Sequence, residues 1–354
     1  MNISFKIVPP STECFSPMAR SEDRSCFFSA QWNTYLEQMG RRSIIVELSR
    51  GEEKVGFFVG SQRHIGLRIV SAPSMGTGTY AQGLCLLQPF SEEERIELYV
   101  ELAQWFFKTH RAHYVQICDF ALHLDAETSR HPLLDAAGVH YQPRATYHLP
   151  LNRTEEQLWA AMSQKSCRYS ISKARRLGLE VRFVEKEEEI DAFCSRHRLH
   201  IEDVLRRKHN RGLPCQSLKY ISALCHSLFP DFCIMAEVYG TGADGKPCSM
   251  ASGIFAGKDG LCTYFTAASF EQYMHLCPNE LLVWESIRRL RQQGATDLIF
   301  GGVAHYKKKY SPTYAFVPVL VFSRFRLLLD LRRRLKLLYK NLIHLAGSPK
   351  NKVS

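Results

Sequence analysis

LCPNELLVWESIRRLRQQGATDLIFGGVAHYKKKY, residues 276–310, decides how the chain is read. Pro278 and Asn279 stand where a helix should begin and Gly294 where it should end. Between them Leu281, Leu282, Trp284, Ile287 and Leu290 fall on or near one helical face. A short strand follows from Asp297 to Phe300 and runs into Gly301 and Gly302. Glycines at a strand end allow a sharp turn or a close approach of backbone to a ligand. Lys307, Lys308 and Lys309 come next, flanked by Tyr306 and Tyr310. A cationic cluster just beyond a buried strand can hold an anion or stabilise an oxyanion. The alternative for the three lysines is a solvated loop.

Working outward, 354 residues are enough for two domains of ordinary size. A hydrophobic content of 45% with 23% charged residues describes a globular chain. The net charge of +11 points to an anionic partner: nucleic acid, an anionic membrane face or a phosphorylated substrate. Simple solubility is the plainer explanation. The 12 cysteines form no Cys-x-x-Cys motif, and several lie in apolar runs, as Cys118, Cys233 and Cys262 do. That usage predicts free thiols in a reducing compartment and no metal site. The opening MNISFKIVPPSTE lacks the basic start and apolar core of a signal peptide. No segment has the length of uncharged apolar sequence needed for a membrane span. The expected location is cytoplasmic, or peripheral at the inner face of the cell membrane.

The order of elements repeats along the chain. Residues 27–39 read as a short helix, and Ser43–Leu48 with Lys54–Val59 as a hairpin. A Pro/Gly loop, 72–80, precedes a strong helix at 91–109 with a Ser91/Glu94 capping box. Tyr114 to Phe120 reads as a buried strand and 138–149 as an extended run. Thr154 and Gln157 then form a second capping box, followed by a basic helix at 164–177 that Gly178 ends. A strand at 179–184, helices at 187–207 and 217–228, a hairpin of 232–239 with 250–256, and a strand at 261–266 lead back to the 278–302 unit. The prediction is an α/β chain with mixed sheets: an N-terminal domain at 1–148, a C-terminal domain at 149–322, and a basic amphipathic tail at 323–354.

The 276–310 stretch resembles the closing half of FemAB-like transferases of the GNAT superfamily. Their P-N-x-L-L-x-W-x-x-I helix is matched by Pro278–Ile287, their D-x-G-G strand end by Asp297–Gly302 with wider spacing, and their aromatic-lysine pair by Tyr306-Lys307. Phe27 to Leu36 (FFSAQWNTYL) resembles the family's first helix, and the 72–80 loop a Pro/Gly loop near its substrate site. Arg168, Ile171, Lys173, Ala174, Gly178 and Leu179 match an R-x-x-I-x-K-A-x-x-x-G-L helix, and Arg211–Pro214 a recurrent loop. The resemblance spans roughly 27–322 and implies tandem GNAT-like domains, the acceptor mainly on the first and the donor on the second. It implies attack by an amine on an activated acyl group, a tRNA ester or a thioester, with no covalent intermediate. The donor would be an acyl-CoA or an aminoacyl-tRNA, with no metal. The glycine-rich pyrophosphate loop of ordinary GNAT enzymes is missing: Ala267 to Leu276 holds no glycine.

On this reading Lys307 contacts the oxyanion or a phosphate and Tyr306 positions it. The substrate-binding candidates are Tyr80, Asp119, Arg168, Asn279, Gly301 and Gly302. Asp119 ends an apolar strand, a common site position in α/β folds, with a structural capping role as the alternative. Arg168 belongs to a charge run that is otherwise a solvated helix face. Asp297 reads as a strand-start residue. Residues 323–346 mix leucines at helical intervals with seven Arg and Lys and read as a membrane-surface helix or one that packs on the first domain. The expected activity is transfer of an acetyl or aminoacyl group to an amine of a phosphorylated or lipid-linked cell-envelope precursor, a peptidoglycan precursor or an exopolysaccharide amino sugar. The rival is an idle tandem-GNAT protein that binds an anionic membrane or RNA.

Overall fold

The computed structural model describes residues 2–21, 24–65, 67–71, 83–207 and 216–325. The 72–80 loop with Tyr80, the Arg211–Pro214 loop and all but the first residues of the tail lie outside them. The first half runs β1 (Ser4–Val8), α1 (Thr12–Arg20), α2 (Ala30–Gln38), β2 (Arg42–Arg50), β3 (Glu53–Ile65), β4 (Leu67–Ser71), β5 (Leu84–Leu86), α3 (Glu92–Thr109), β6 (Tyr114–Cys118), α4 (Pro132–Ala136) and β7 (Tyr141–Pro150). The second runs α5 (Glu155–Ala161), α6 (Tyr169–Arg176), β8 (Glu180–Phe183), α7 (Ile190–Arg207), α8 (Gln216–Leu228), β9 (Cys233–Thr241), β10 (Pro247–Ala256), β11 (Gly260–Ser269), α9 (Pro278–Gln292), β12 (Ala295–Ile299) and β13 (Thr313–Ser323). One wide π-turn, Gln164–Arg168, leads into α6, and 3-10 turns at Glu271–Leu276 and His305–Tyr310 flank α9 and β12.

Local chemistry explains the best-defined helices. In α3 the Ser91 hydroxyl accepts from the Glu94 N–H while the Glu94 carboxylate accepts from the Ser91 N–H, and Thr154 and Gln157 do the same for α5. In α9, Pro278 begins the first turn, where its missing N–H costs nothing, and Gly294 follows the end at φ +92°.

All described strands join one mixed sheet in the order β1-β2-β3-β4-β6-β13-β7-β12-β11-β10-β9-β8, with β5 alongside β3. Each half is an antiparallel meander whose last strand pairs in parallel with a strand reached through a helix: β4 with β6 across α3, and β11 with β12 across α9. The next strand of each half then crosses over. β7 pairs with β12 of the second half, and β13 pairs with β6 of the first, so β7 and β13 run side by side at the centre. Burial covers both faces. Leucine, tryptophan and isoleucine of α9 pack with α6 on one face of the second half, and Trp32, Leu36, Phe193, Leu224 and Leu228 of α2, α7 and α8 cover the other. The 18-residue α3 closes the first half with Leu98, Tyr99, Leu102 and Phe106 fully buried. No helix among the described residues is long and apolar enough to cross a membrane.

Candidate active site

The parallel pair β11 and β12 parts as it leaves the sheet. Register contacts run from Gly260 opposite Ala295 to Thr263 opposite Ile299, after which β11 continues to Ser269 paired with β10 alone. Phe300 follows β12 with its N–H donating to the Tyr147 carbonyl, and the chain turns at Gly301, φ +70°, a left-handed conformation that suits glycine. Gly302 has open space where a side chain would be.

Lys307 folds back over this turn. Its Nζ donates to the Phe300 carbonyl at 2.6 Å and to the Gly302 carbonyl at 3.0 Å, and it lies 4.9 Å from the Tyr264 ring centre and 5.7 Å from that of Tyr306. The residue is only 7% exposed, and burial pulls the ammonium down to about 8 from its usual range. Two carbonyl dipoles and two ring faces hold the charge, with no carboxylate against it among the described residues, so it can face a developing negative charge. The Tyr306 and Tyr264 hydroxyls stand 3.5 Å apart at the edge of the same space, and Tyr306 is 49% exposed. Lys309 points the other way, in a half-buried ion pair with Glu280 of α9, and Lys308 is exposed. The three lysines therefore divide into one held cation, one structural partner and one solvated side chain.

The other sequence candidates separate. Asn279 joins this region: its carbonyl accepts from the Tyr310 hydroxyl at 3.5 Å and its side-chain amide donates to Ser269 at 2.7 Å. Arg168 ends the π-turn that packs on the 305–310 turn, through the Ser163 N–H donating to the Lys309 carbonyl, and its Nε is buried with no partner among the described residues. Asp119 does not join them. It is fully buried, accepts from the Tyr99 hydroxyl and the Ala121 N–H, and pairs with Arg95 at 3.2 Å, so its oxygens tie α3 to the turn after β6.

A second group went unread in the sequence. His148 of β7 and Asp297 of β12 meet at 2.6 Å, with the Thr296 hydroxyl also donating to Asp297 at 2.6 Å. Burial pushes the Asp297 carboxyl up, but the hydrogen bonds from His148 and Thr296 outweigh it and hold the group below its usual range. The pair lines a cavity of about 230 Å³ bounded also by Phe120, His123, Thr146, Leu261 and Val317. His148 sits in the stretch 138–149 that the sequence reads as an extended run. Its partner is 149 residues away, and only the β7–β12 pairing brings the two together. Tyr264 carries no sequence signal.

Comparison with known proteins supports the fold. Residues 162–308 match the family model described as an acetyltransferase (GNAT) domain, a span that ends just past Lys307. The fold is that of FemX: the two structures superpose with a TM-score of 0.67 at 12% identity, over 88% of this chain and 96% of that one. A conserved protein of unknown function from Bacteroides thetaiotaomicron superposes with a TM-score of 0.53 at 10% identity, over 90% of this chain and 100% of that one. A tandem GNAT protein from the clavulanic acid biosynthesis pathway is also similar, with a TM-score of 0.48 at 10% identity, over 91% and 98% of the two chains. No curated protein sequence matches the chain. Residues 162–308 thus carry a GNAT acetyltransferase domain, the mark of an acyltransferase, and the chain as a whole has the mixed α/β fold of FemX.

Proposed function

We propose that the protein is an N-acyltransferase that passes an aminoacyl group from its ester on tRNA to an amine of a cell-envelope precursor. The observation that carries the transfer is Lys307: a buried cation with no carboxylate partner among the described residues, held beside a turn whose Gly302 leaves room for a ligand. There it stabilises the oxyanion formed when an amine attacks the donor carbonyl. Tyr264 and Tyr306 fix its position and wall off water. Arg168, whose Nε has no partner among the described residues, would take a phosphate of donor or acceptor. The division of the chain at residues 148 and 149, with the acceptor mainly on the first part, belongs to the same proposal. So does membrane contact by the tail, which would bring the enzyme to a lipid-linked acceptor.

The start of α9 favours the tRNA ester over an acyl-CoA thioester. Where a GNAT pyrophosphate would rest, the helix begins with Pro278, which has no N–H. Cys277 precedes it in a left-handed conformation, and Glu280 stands in its first turn. A proline and a carboxylate make a poor cradle for a doubly charged group. Thermal-shift and filter-binding measurements with acetyl-CoA and alanyl-tRNA at two salt concentrations test the choice. Salt-sensitive tRNA binding without a CoA effect is expected. Stabilisation by acetyl-CoA would move the donor to a thioester, and binding of tRNA with no transfer to any amine would favour the idle binding protein.

A further inference from the structure

We propose that His148 is the general base that neutralises the acceptor ammonium, and that Asp297 is its positioning residue. This rests on the acyl-transfer reading and names the residues that serve its second substrate. A carboxylate can only accept, so His148 carries its proton on Nε2, aimed at Asp297 Oδ1. Asp297 Oδ2 is held by the Thr296 hydroxyl, so the carboxylate cannot turn away. Nδ1 of His148 is then a lone pair with no partner among the described residues, on a side chain that lines the cavity. This is the arrangement in which a carboxylate orients an imidazole and stabilises its protonated form.

The position suits the acceptor. His148 and Asp297 are diagonal neighbours across β7 and β12, on the face opposite Tyr147, Leu149 and Leu298, which pack in the core under α9. Ile299, at the point where β11 and β12 part, lines the same cavity. Its partner Thr263 is 1% exposed with an Oγ1 that has no hydrogen bond among the described residues. Thr146, also on the cavity wall, donates to the Gly301 carbonyl at 3.0 Å, while Lys307 takes the carbonyls on either side. Thr146 thus links the cavity wall to the 300–302 turn that Lys307 holds. An amine presented from the cavity would meet, at the gap between β11 and β12, a carbonyl whose oxygen faces Lys307.

The step balances as follows. His148 Nδ1 takes one proton from the ammonium, and the freed lone pair forms the N–C bond. The ester C–O bond breaks, and the second nitrogen-bound proton goes to the leaving ribose oxygen. His148 returns its proton to solvent. The titratable groups that line the cavity with His148 are Asp297 on β12 and His123 after β6. The facing residues of β13, Ala315 and Val317, are uncharged.

The test uses the full chain with alanyl-tRNA and acetyl-CoA as donors, and glucosamine, a lysyl dipeptide or hydroxylamine as acceptors. Hydroxylamine is uncharged at neutral pH and needs no base. His148→Gln is expected to lose about 100-fold or more of turnover with the two ammonium acceptors. It should also lose the acid limb of their pH–rate profile, yet keep hydroxylamine transfer within a few-fold. Asp297→Asn, which removes the acceptor that orients the imidazole, is expected to lower turnover with the ammonium acceptors while sparing hydroxylamine. Equal losses with ammonium acceptors and hydroxylamine, or an acid limb that His148→Gln retains, would overturn the proposal while leaving acyl transfer in place. A wild type inactive with both donors would overturn both. Nitrogen NMR of His148 provides an independent check in the free protein: Nε2 protonated and Nδ1 bare is expected, and the opposite tautomer refutes the assignment.

Discussion

Thr146 and Lys307 hold one turn from two parts of the chain: the Thr146 hydroxyl takes the carbonyl of Gly301, and the Lys307 ammonium takes those of Phe300 and Gly302. All three carbonyls point to fixed donors, so the turn that ends β12 is rigid although it leaves the sheet. Preorganised donors of this kind cost no reorganisation when charge develops.

On the proposed role, Lys307 should set the alkaline side of activity. Its pKa of about 8 makes the group charged below that value and neutral above it. Turnover is expected to fall as pH rises through about 8, and Lys307→Arg, which stays charged, should shift that limb upward even if the peak rate drops. The sign for stability is opposite. Burial disfavours the charged form, so the penalty is present below about 8 and is relieved as pH rises toward the unfolded value of about 10.4. Rate–pH profiles and melting curves at matched ionic strength separate the two effects.

A buried network predicts acid sensitivity. His200 Nε2 donates to the Ser249 carbonyl at 3.2 Å, so its Nδ1 accepts from the Ser252 hydroxyl, and Ser252 Oγ in turn accepts from His197 Nδ1. Burial, and then the neighbouring His200, pull His197 down to about 3. The unfolded imidazole titrates near 6.5, so the unfolded chain binds more protons between these values. Stability should be fully present above about 6.5 and decline as pH falls toward 3, as followed by urea titration. His197→Phe should flatten that decline.

Ser252→Ala strips both imidazoles of their shared partner. The expected cost is about 2 kcal/mol or more in urea unfolding. A loss below about 0.5 kcal/mol would mean that the hydroxyl is dispensable.

Gly301→Ala forces a side chain into the left-handed region at φ +70°, at a cost of about 1–2 kcal/mol. Gly302→Ala meets open space and should leave the melting temperature unchanged. If both melt alike, the conformational reading of the two glycines is wrong.

Local signals were legible where local chemistry decides. The capping boxes at Ser91 and Thr154, the bounds of α9 and the glycine turn all stand where the residues place them. The strand β13 was not. TYAFVPVLVFS is rich in β-branched residues, but Pro318 argues against a central strand. The structure tolerates it because the β6 ladder stops at Val319, one residue short, and the residue opposite on β7 is Pro143. The crossing of β7 and β13 is a long-range event with no local mark. It alone creates the His148–Asp297 pair, while Asp119 is turned inward by Arg95 and Tyr99 of α3, partners at a distance in sequence. Within the lysine run, only the resemblance marked Lys307 as the residue of the site; no local pattern could tell that Lys309 would meet Glu280.

The most direct measurement is single-turnover transfer from alanyl-tRNA to an envelope-type amine by the wild type and by Lys307→Met. Lost oxyanion stabilisation predicts a rate about 10²–10³-fold lower with donor affinity kept within a few-fold. A folded Lys307→Met protein that transfers at the wild-type rate would contradict the role assigned to this lysine and the site built around it.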